Sequence, residues 1–226
     1  MIKVIIIFIP KWQSKSLDNK QLNESNLRTI WKNPLFKSLV PMGFFSYGGL
    51  FAIQTLWAGP WMIRVSGYTP EESAQGLFII YLCMLISFLV WGYFVPKFSK
   101  NVNDAIRLLK IGAPLNLFVL MLIIYLGPKA GSIHFAIFIV SSIFLSLTQP
   151  AVGMAFSISN AGKALTSFNL LIFIGAFFIQ WIIGLIIDAG INFNLSEINS
   201  FKLAMIFVLI TSLFSYLFFL RKLKIN

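Results

Sequence analysis

Charge is scarce in this sequence, and acidic residues are the scarcest charged type. Of its 226 residues, 11% are charged, against roughly 25% in soluble domains. Seven are Asp or Glu, one is His, and Cys83 is the single cysteine. One cysteine excludes both a disulfide within the chain and a cysteine-based metal cluster. Paired carboxylates in apolar stretches, histidine clusters and phosphate-binding glycine loops are also lacking. We therefore expect no enzyme, no metal site and no cofactor.

Apolar residues are abundant instead. They make up 58% of the chain, with 24 Phe, and the mean hydropathy is +0.85. A soluble fold of this size leaves roughly a third of its unfolded surface in water, so it could not hide so much apolar surface. Disorder is excluded because disordered chains have low hydrophobicity. The composition predicts an all-α integral membrane protein whose first partner is the lipid bilayer.

Six stretches are long enough to cross a membrane, since a spanning helix needs about 20 apolar residues. Each must be helical, because lipid leaves unpaired backbone groups unsatisfied. We expect a six-helix transmembrane domain over 38–220, a cytoplasmic lead-in over 1–37 and a cytoplasmic tail over 221–226. The predicted spans are 38–59, 74–95, 108–127, 133–157, 164–187 and 201–220.

Positive charge is distributed unevenly between the two sides of these spans. The net charge is +11, and 15 of the 18 Lys and Arg fall in the N-terminal segment, the tail and the two loops on their side. The other side has only Arg64, Lys129 and Lys202. Lys and Arg are retained in cytoplasmic loops. The bias therefore predicts a bacterial inner-membrane protein with both termini in the cytoplasm, and it explains the charge without a nucleic-acid partner.

Uncharged polar residues inside the spans are the candidates for binding a solute. Tyr47 and Gln54 are seven residues apart in the first span, and Asn169 and Gln180 are eleven apart in the fifth. Both spacings return to nearly the same face of an α-helix. One interpretation is a polar cavity lined by the first, fourth and fifth spans. The other is hydrogen bonding between helices, and the sequence leaves both open.

The fourth span contains a polar stretch that ends in helix-breaking residues. Gln149 is a further candidate for the cavity, and Pro150 and Gly153 follow it closely. Proline removes a backbone hydrogen bond from its helix, so these two residues are candidates for a bend that serves a gate. His134, near the start of this span, is expected to lie at the membrane interface.

Three stretches, 49–78, 91–114 and 160–188, resemble the C-terminal six-helix half of the major facilitator superfamily. The second of them covers the place of a basic loop motif in that family. Gly92, Lys97 and Lys100 could match its glycine and basic residues, whereas the acidic position is not filled because Asp104 falls too late.

The resemblance implies two three-helix units that are inverted repeats of each other. It also implies a secondary transporter that moves a small solute by alternating access. One half cannot rock against itself, so the resemblance implies a partner, either a separate N-terminal six-helix half or a second copy of the chain. Residues 1–10 are similar to the end of a preceding helix, which favours a truncated or split chain. The alternative function is a membrane scaffold or interaction subunit without transport.

Overall fold

The computed structural model describes residues 27–224, and six long helices dominate that part of the chain. A short helix, Leu27–Lys32, precedes them. The expected lead-in up to residue 26, with its helix-like first ten residues, lies outside the described residues. The six helices are long and apolar enough to cross a membrane, which confirms the predicted count and a multi-pass membrane protein. In chain order, the first to sixth spans are Pro34–Arg64, Pro70–Phe98, Val102–Lys129, Ser132–Met154, Ile158–Asn192 and Glu197–Leu223.

Local sequence fixes where the early spans begin. The Asn33 side chain accepts a hydrogen bond from the Phe36 N–H at 3.0 Å, so the first span starts four residues before the predicted stretch. Thr69 and Glu72 bond to each other's backbone N–H groups at the start of the second span. At the start of the third span, the Asn101 side chain accepts from the Asp104 N–H at 3.0 Å. Each cap satisfies N–H groups that have no partner in the first turn of a helix.

Contacts between the helix ends define two faces of the bundle. On the face that holds both ends of the described chain, which we call the terminal face, Phe36 packs edge-on against Phe156 and Phe168. On the opposite face, Arg64 forms an ion pair with Glu197. The first span therefore runs from the terminal face to the opposite face, and each following span crosses in the direction opposite to that of the span before it.

The first and fourth spans form the centre of the bundle. The first packs along the fifth and sixth, and the fourth packs along the second and third. Each central helix thus contacts the second and third helices of the other three-helix unit. Because a unit has an odd number of spans, the second unit crosses in the opposite direction. This arrangement confirms the expected all-α fold of two three-helix inverted repeats.

Glycines bring the backbones of the first and fifth spans into direct contact. A Cβ atom added to Gly175 would lie 2.2 Å from the carbonyl oxygen of Phe44. One added to Gly48 would lie 2.8 Å from the backbone nitrogen of Ala176. Small residues allow this close approach in membranes, where van der Waals packing drives helix association.

Both central spans depart from regular α-helix, which the sequence did not predict. The first contains two wider π-helical segments, Met42–Tyr47 and Ile53–Trp57. The fourth contains a tighter 3₁₀ segment, Ser142–Leu147, which ends shortly before Pro150. Such segments often mark hinges or functional positions in helices. The other spans run as continuous α-helix through their apolar stretches.

Candidate functional site

Gln180 lies at the contact between the fifth span and the first. Its side-chain Nε2 donates to the Thr55 hydroxyl oxygen at 2.8 Å, and its backbone carbonyl oxygen accepts from Trp57 Nε1 at 3.2 Å. Nearer the terminal face, the tilted rings of Phe51 and Phe173 are in contact, with centroids 6.1 Å apart. Phe51 lies one turn from Thr55, and Phe173 lies two turns from Gln180. The side chain is half-buried, so it sits at the edge of the packed seam between these spans.

Gln54 lies on the other side of the same helix, against the second span. Its side-chain Nε2 donates to the Met84 sulfur at 2.8 Å, and its backbone carbonyl oxygen accepts from the Tyr81 hydroxyl at 3.0 Å. The side chain is 7% exposed. Because Gln54 and Thr55 are consecutive, the first span presents polar side chains to the second and fifth spans at one depth.

Tyr47 and Asn169 lie nearer the terminal face, on the two helices that Gln180 connects. Tyr47 is buried, and its ring centroid is 5.4 Å from that of Phe51. Asn169 is half-buried and follows Phe168. The structure therefore places Gln180 at the seam between the first and fifth spans and Gln54 on the other side of the first span, whereas Tyr47 and Asn169 lie on the two seam helices nearer the terminal face.

The fourth-span candidates divide between two neighbours. Gly153 faces the fifth span, where a Cβ atom added to it would lie 3.5 Å from Leu165 Cδ1. Pro150 lines a recess of about 210 Å³ between the second and fourth spans, which Gly92 also lines. Gln149, directly before Pro150, is half-buried. The structure brings Gly153 toward the seam and separates Pro150 from it.

The basic loop residues lie where the second span ends at the terminal face. Lys97 Nζ lies 3.7 Å from the centroid of the Tyr93 ring, a cation–π contact. The Lys100 N–H donates to Asp104 Oδ2 at 3.1 Å. Asp104 therefore helps to begin the third span, and no ion pair joins it to either lysine within the described chain.

Asn116 is a polar residue whose importance the sequence did not reveal. Its Nδ2 donates to the Phe138 carbonyl oxygen at 3.0 Å and to the Ser141 hydroxyl at 3.1 Å, and it is 7% exposed. It ties the third span to the fourth, directly before the 3₁₀ segment. The sequence signal that could have identified Asn116 is an amide side chain in the middle of an apolar stretch.

His134 also has a structural role. Its Nδ1 accepts from the Gly131 N–H at 3.2 Å, at the opposite-face start of the fourth span. It thus satisfies a backbone donor where the helix begins, at the membrane end where the sequence placed it.

Comparison with known proteins finds similarity in structure alone. No protein-family model matches the sequence, and no curated protein matches it. A solved structure of a bacterial homologue of the human lysosomal transporter Spinster, inward-facing and unoccupied, superposes with a TM-score of 0.53 at 14% sequence identity. The match covers 95% of this chain and 52% of that one, so this chain spans about half of that transporter's length. The expected six-helix fold, corresponding to about half of that solved structure, is confirmed.

Proposed function

We propose that this chain is the C-terminal half of a secondary transporter that moves a small solute by alternating access. The observation that carries the proposal is the arrangement of its spans. Two irregular central helices, each packed on two helices of the opposite repeat, match half of a solved transporter over 95% of this chain. Transport by rocking one half against another around a midplane site is the mechanism that such repeats support.

The uncharged polar residues of the seam support binding of a small polar solute. Gln180 is half-buried at its edge, Asn169 is half-buried on the same helix, and Gln54 lies behind the seam. Amide and hydroxyl groups can both donate and accept hydrogen bonds. We place the solute on this seam, with the irregular turns of the first span next to it, and assign no enzymatic reaction and no cofactor.

The exposed second span supports the proposal of a second six-helix body. Within the described chain it packs on the fourth span and on the end of the first, and only 6% of its most apolar window is buried. The partner is an N-terminal half or a second copy of this chain. We place both in a bacterial inner membrane, with the terminal face in the cytoplasm.

Flux in proteoliposomes tests this proposal. Vesicles that contain this chain alone are tested with a panel of radiolabelled sugars, amino acids and nucleosides. They are expected to show no counterflow above that of vesicles without protein. Co-reconstitution with a six-span chain encoded upstream is expected to restore counterflow of one solute. Counterflow by the chain alone would show that a second copy, rather than an N-terminal half, completes the transporter.

Accessibility of engineered cysteines tests the orientation. In a Cys83→Ser background, Lys100→Cys lies at the terminal face and Lys129→Cys at the opposite face. A membrane-impermeant maleimide applied to intact spheroplasts is expected to label only the second. The reverse pattern would place the terminal face outside the cell.

A non-transporting scaffold is the alternative, and one observation favours it. The amides of Gln54 and Gln180 already bond to Met84 and Thr55, as interhelical packing requires. A scaffold predicts that Gln180→Ala and Asn169→Ala lower stability without changing any flux of the assembled protein. Loss of flux with unchanged stability would favour the transporter.

A further inference from the structure

A groove runs between the first and sixth spans near the terminal face, away from the seam. Its volume is about 540 Å³. Pro41 and Phe45 form one wall, and the sixth span forms the other. None of its residues is a candidate for solute binding, so it is a separate feature of the molecule. The sixth-span wall consists of Thr211, Phe214, Ser215, Leu217, Phe218 and Arg221.

The groove presents hydrocarbon, although two hydroxyl residues line it. The Thr211 hydroxyl bonds to the carbonyl oxygens of Phe207 and Val208 on its own helix. The Ser215 hydroxyl bonds to the Ser212 carbonyl oxygen and to the Ser46 hydroxyl. Since these donors are satisfied within the protein, the groove suits an apolar chain rather than a polar solute.

Charge is found at one end only. Arg221 lines the groove where it reaches the terminal face, and it is exposed. No carboxylate of the described residues pairs with it. Lys37, four residues before Pro41 on the first span, lies on the same helix face by its spacing. The mouth of the groove is therefore cationic.

The length of the groove matches one leaflet of a bilayer. Ten residues separate Thr211 from Arg221, a rise of about 15 Å along an α-helix. Half of a hydrocarbon core of about 30 Å is the same distance. An acyl chain in the groove would thus place its headgroup beside Arg221.

We propose that this groove binds an anionic phospholipid of the leaflet at the terminal face, with an acyl chain between the first and sixth spans and the headgroup phosphate on Arg221. The apolar walls select a lipid tail over a solute, and the cation selects an anionic headgroup over a zwitterionic one. The proposal does not depend on transport.

Native mass spectrometry of the full chain in detergent tests it, with phosphatidylglycerol and phosphatidylcholine of matched tails as the probes. One favourable basic contact near a membrane surface corresponds to about fivefold in affinity. Phosphatidylglycerol is therefore expected to bind about fivefold tighter than phosphatidylcholine. Arg221→Gln is expected to abolish that preference.

Two further variants make the result specific. Lys222→Gln removes the same charge from the neighbouring residue, whose Nζ lies over the Phe218 ring, and is expected to leave the preference intact. Thr211→Phe fills the deep end of the groove without breaking a bond to another helix, and is expected to weaken both lipids. Equal binding of the two lipids, equal loss in both charge variants, lipid binding unchanged by Thr211→Phe, or a lipid-free dimer that Thr211→Phe dissociates would each overturn the proposal.

Discussion

In soluble proteins the more apolar helices are the more buried ones, whereas a comparison of the first and fourth spans with the second shows the reverse. The first and fourth have the lowest mean hydropathy of the six, yet 61% and 67% of their most apolar 18-residue stretches are buried. The second is more apolar and only 6% buried. In lipid, the exposed helix can be the apolar one, because burial there brings packing rather than escape from water. Polar residues and irregular turns are consequently concentrated in the two central helices.

The largest loss of stability is expected from a substitution at the contact between Gly48 and Gly175, which joins the central first span to the fifth. Gly175→Ala adds a methyl group that would meet the Phe44 carbonyl oxygen at 2.2 Å, so the first and fifth spans must separate. We expect a loss of about 3 kcal/mol in the free energy of unfolding, at the upper end for overpacking. An SDS titration followed by circular dichroism measures it.

Gly92→Ala is the matched control for that substitution. Gly92 is also helical, but a Cβ atom there meets nothing within 4 Å. Alanine is the better helix former by up to about 1 kcal/mol, so stability should hold or rise. Equal losses in the two variants would mean that the backbone contact is not what holds the central helix.

Two leucines sharpen the difference between buried and exposed spans. Leu145 of the fourth span is 2% exposed, and Leu89 of the second is 67% exposed. Leu145→Ala leaves a cavity and is expected to cost about 2 kcal/mol, at the low end for buried leucine because no water is excluded. The same titration should show almost no change for Leu89→Ala. A similar loss at both positions would contradict the assignment of the second span to the periphery.

Asn116→Leu tests the hydrogen bonds that join the third span to the central fourth span. The variant leaves the Phe138 carbonyl and the Ser141 hydroxyl without the amide donor, and we expect a loss of about 1 kcal/mol. Asn169→Leu is its control, because no hydrogen bond joins Asn169 to another described side chain. Should the control lose as much stability, Asn169 would be a packing residue rather than a cavity residue.

The ion pair on the opposite face should contribute least. Both side chains of Arg64 and Glu197 are substantially exposed, at 59% and 40%. Exposed pairs of this kind contribute about 0.5 kcal/mol, and salt screens them. Arg64→Gln should therefore lower the unfolding free energy slightly at low salt and not at high salt, with Lys129→Gln as the control. A loss that persists in high salt would show that Arg64 acts through packing.

Much of the fold could be predicted from the sequence, because apolar length directly determines which segments cross a membrane. The caps at Asn33 and Thr69 then set the helix starts. The irregular segments could not be predicted, since π and 3₁₀ turns depend on neighbours that pack only in the folded bundle.

The candidate site was only partly predictable for a related reason. Helical spacing predicts that Asn169 and Gln180 share one face of the fifth span, and the structure gives a partner on the first span only for Gln180. Helical spacing could not show that Gln54 points to the second span, because two wider turns change the register of the first. Nor could it give the partners of Asn116, which lie on a different helix.

The packing of the first span has a consequence for synthesis of the chain. Its partners, the fifth and sixth spans, are the last to be made. Roughly 90 residues separate the end of the first span from the start of the fifth, on the order of 5–20 s of translation at about 5–20 residues per second. During that interval the least apolar helix of the set has the second span against its end but lacks the two helices that it packs along. The first span therefore reaches its fully packed position only when the ribosome has nearly finished the chain.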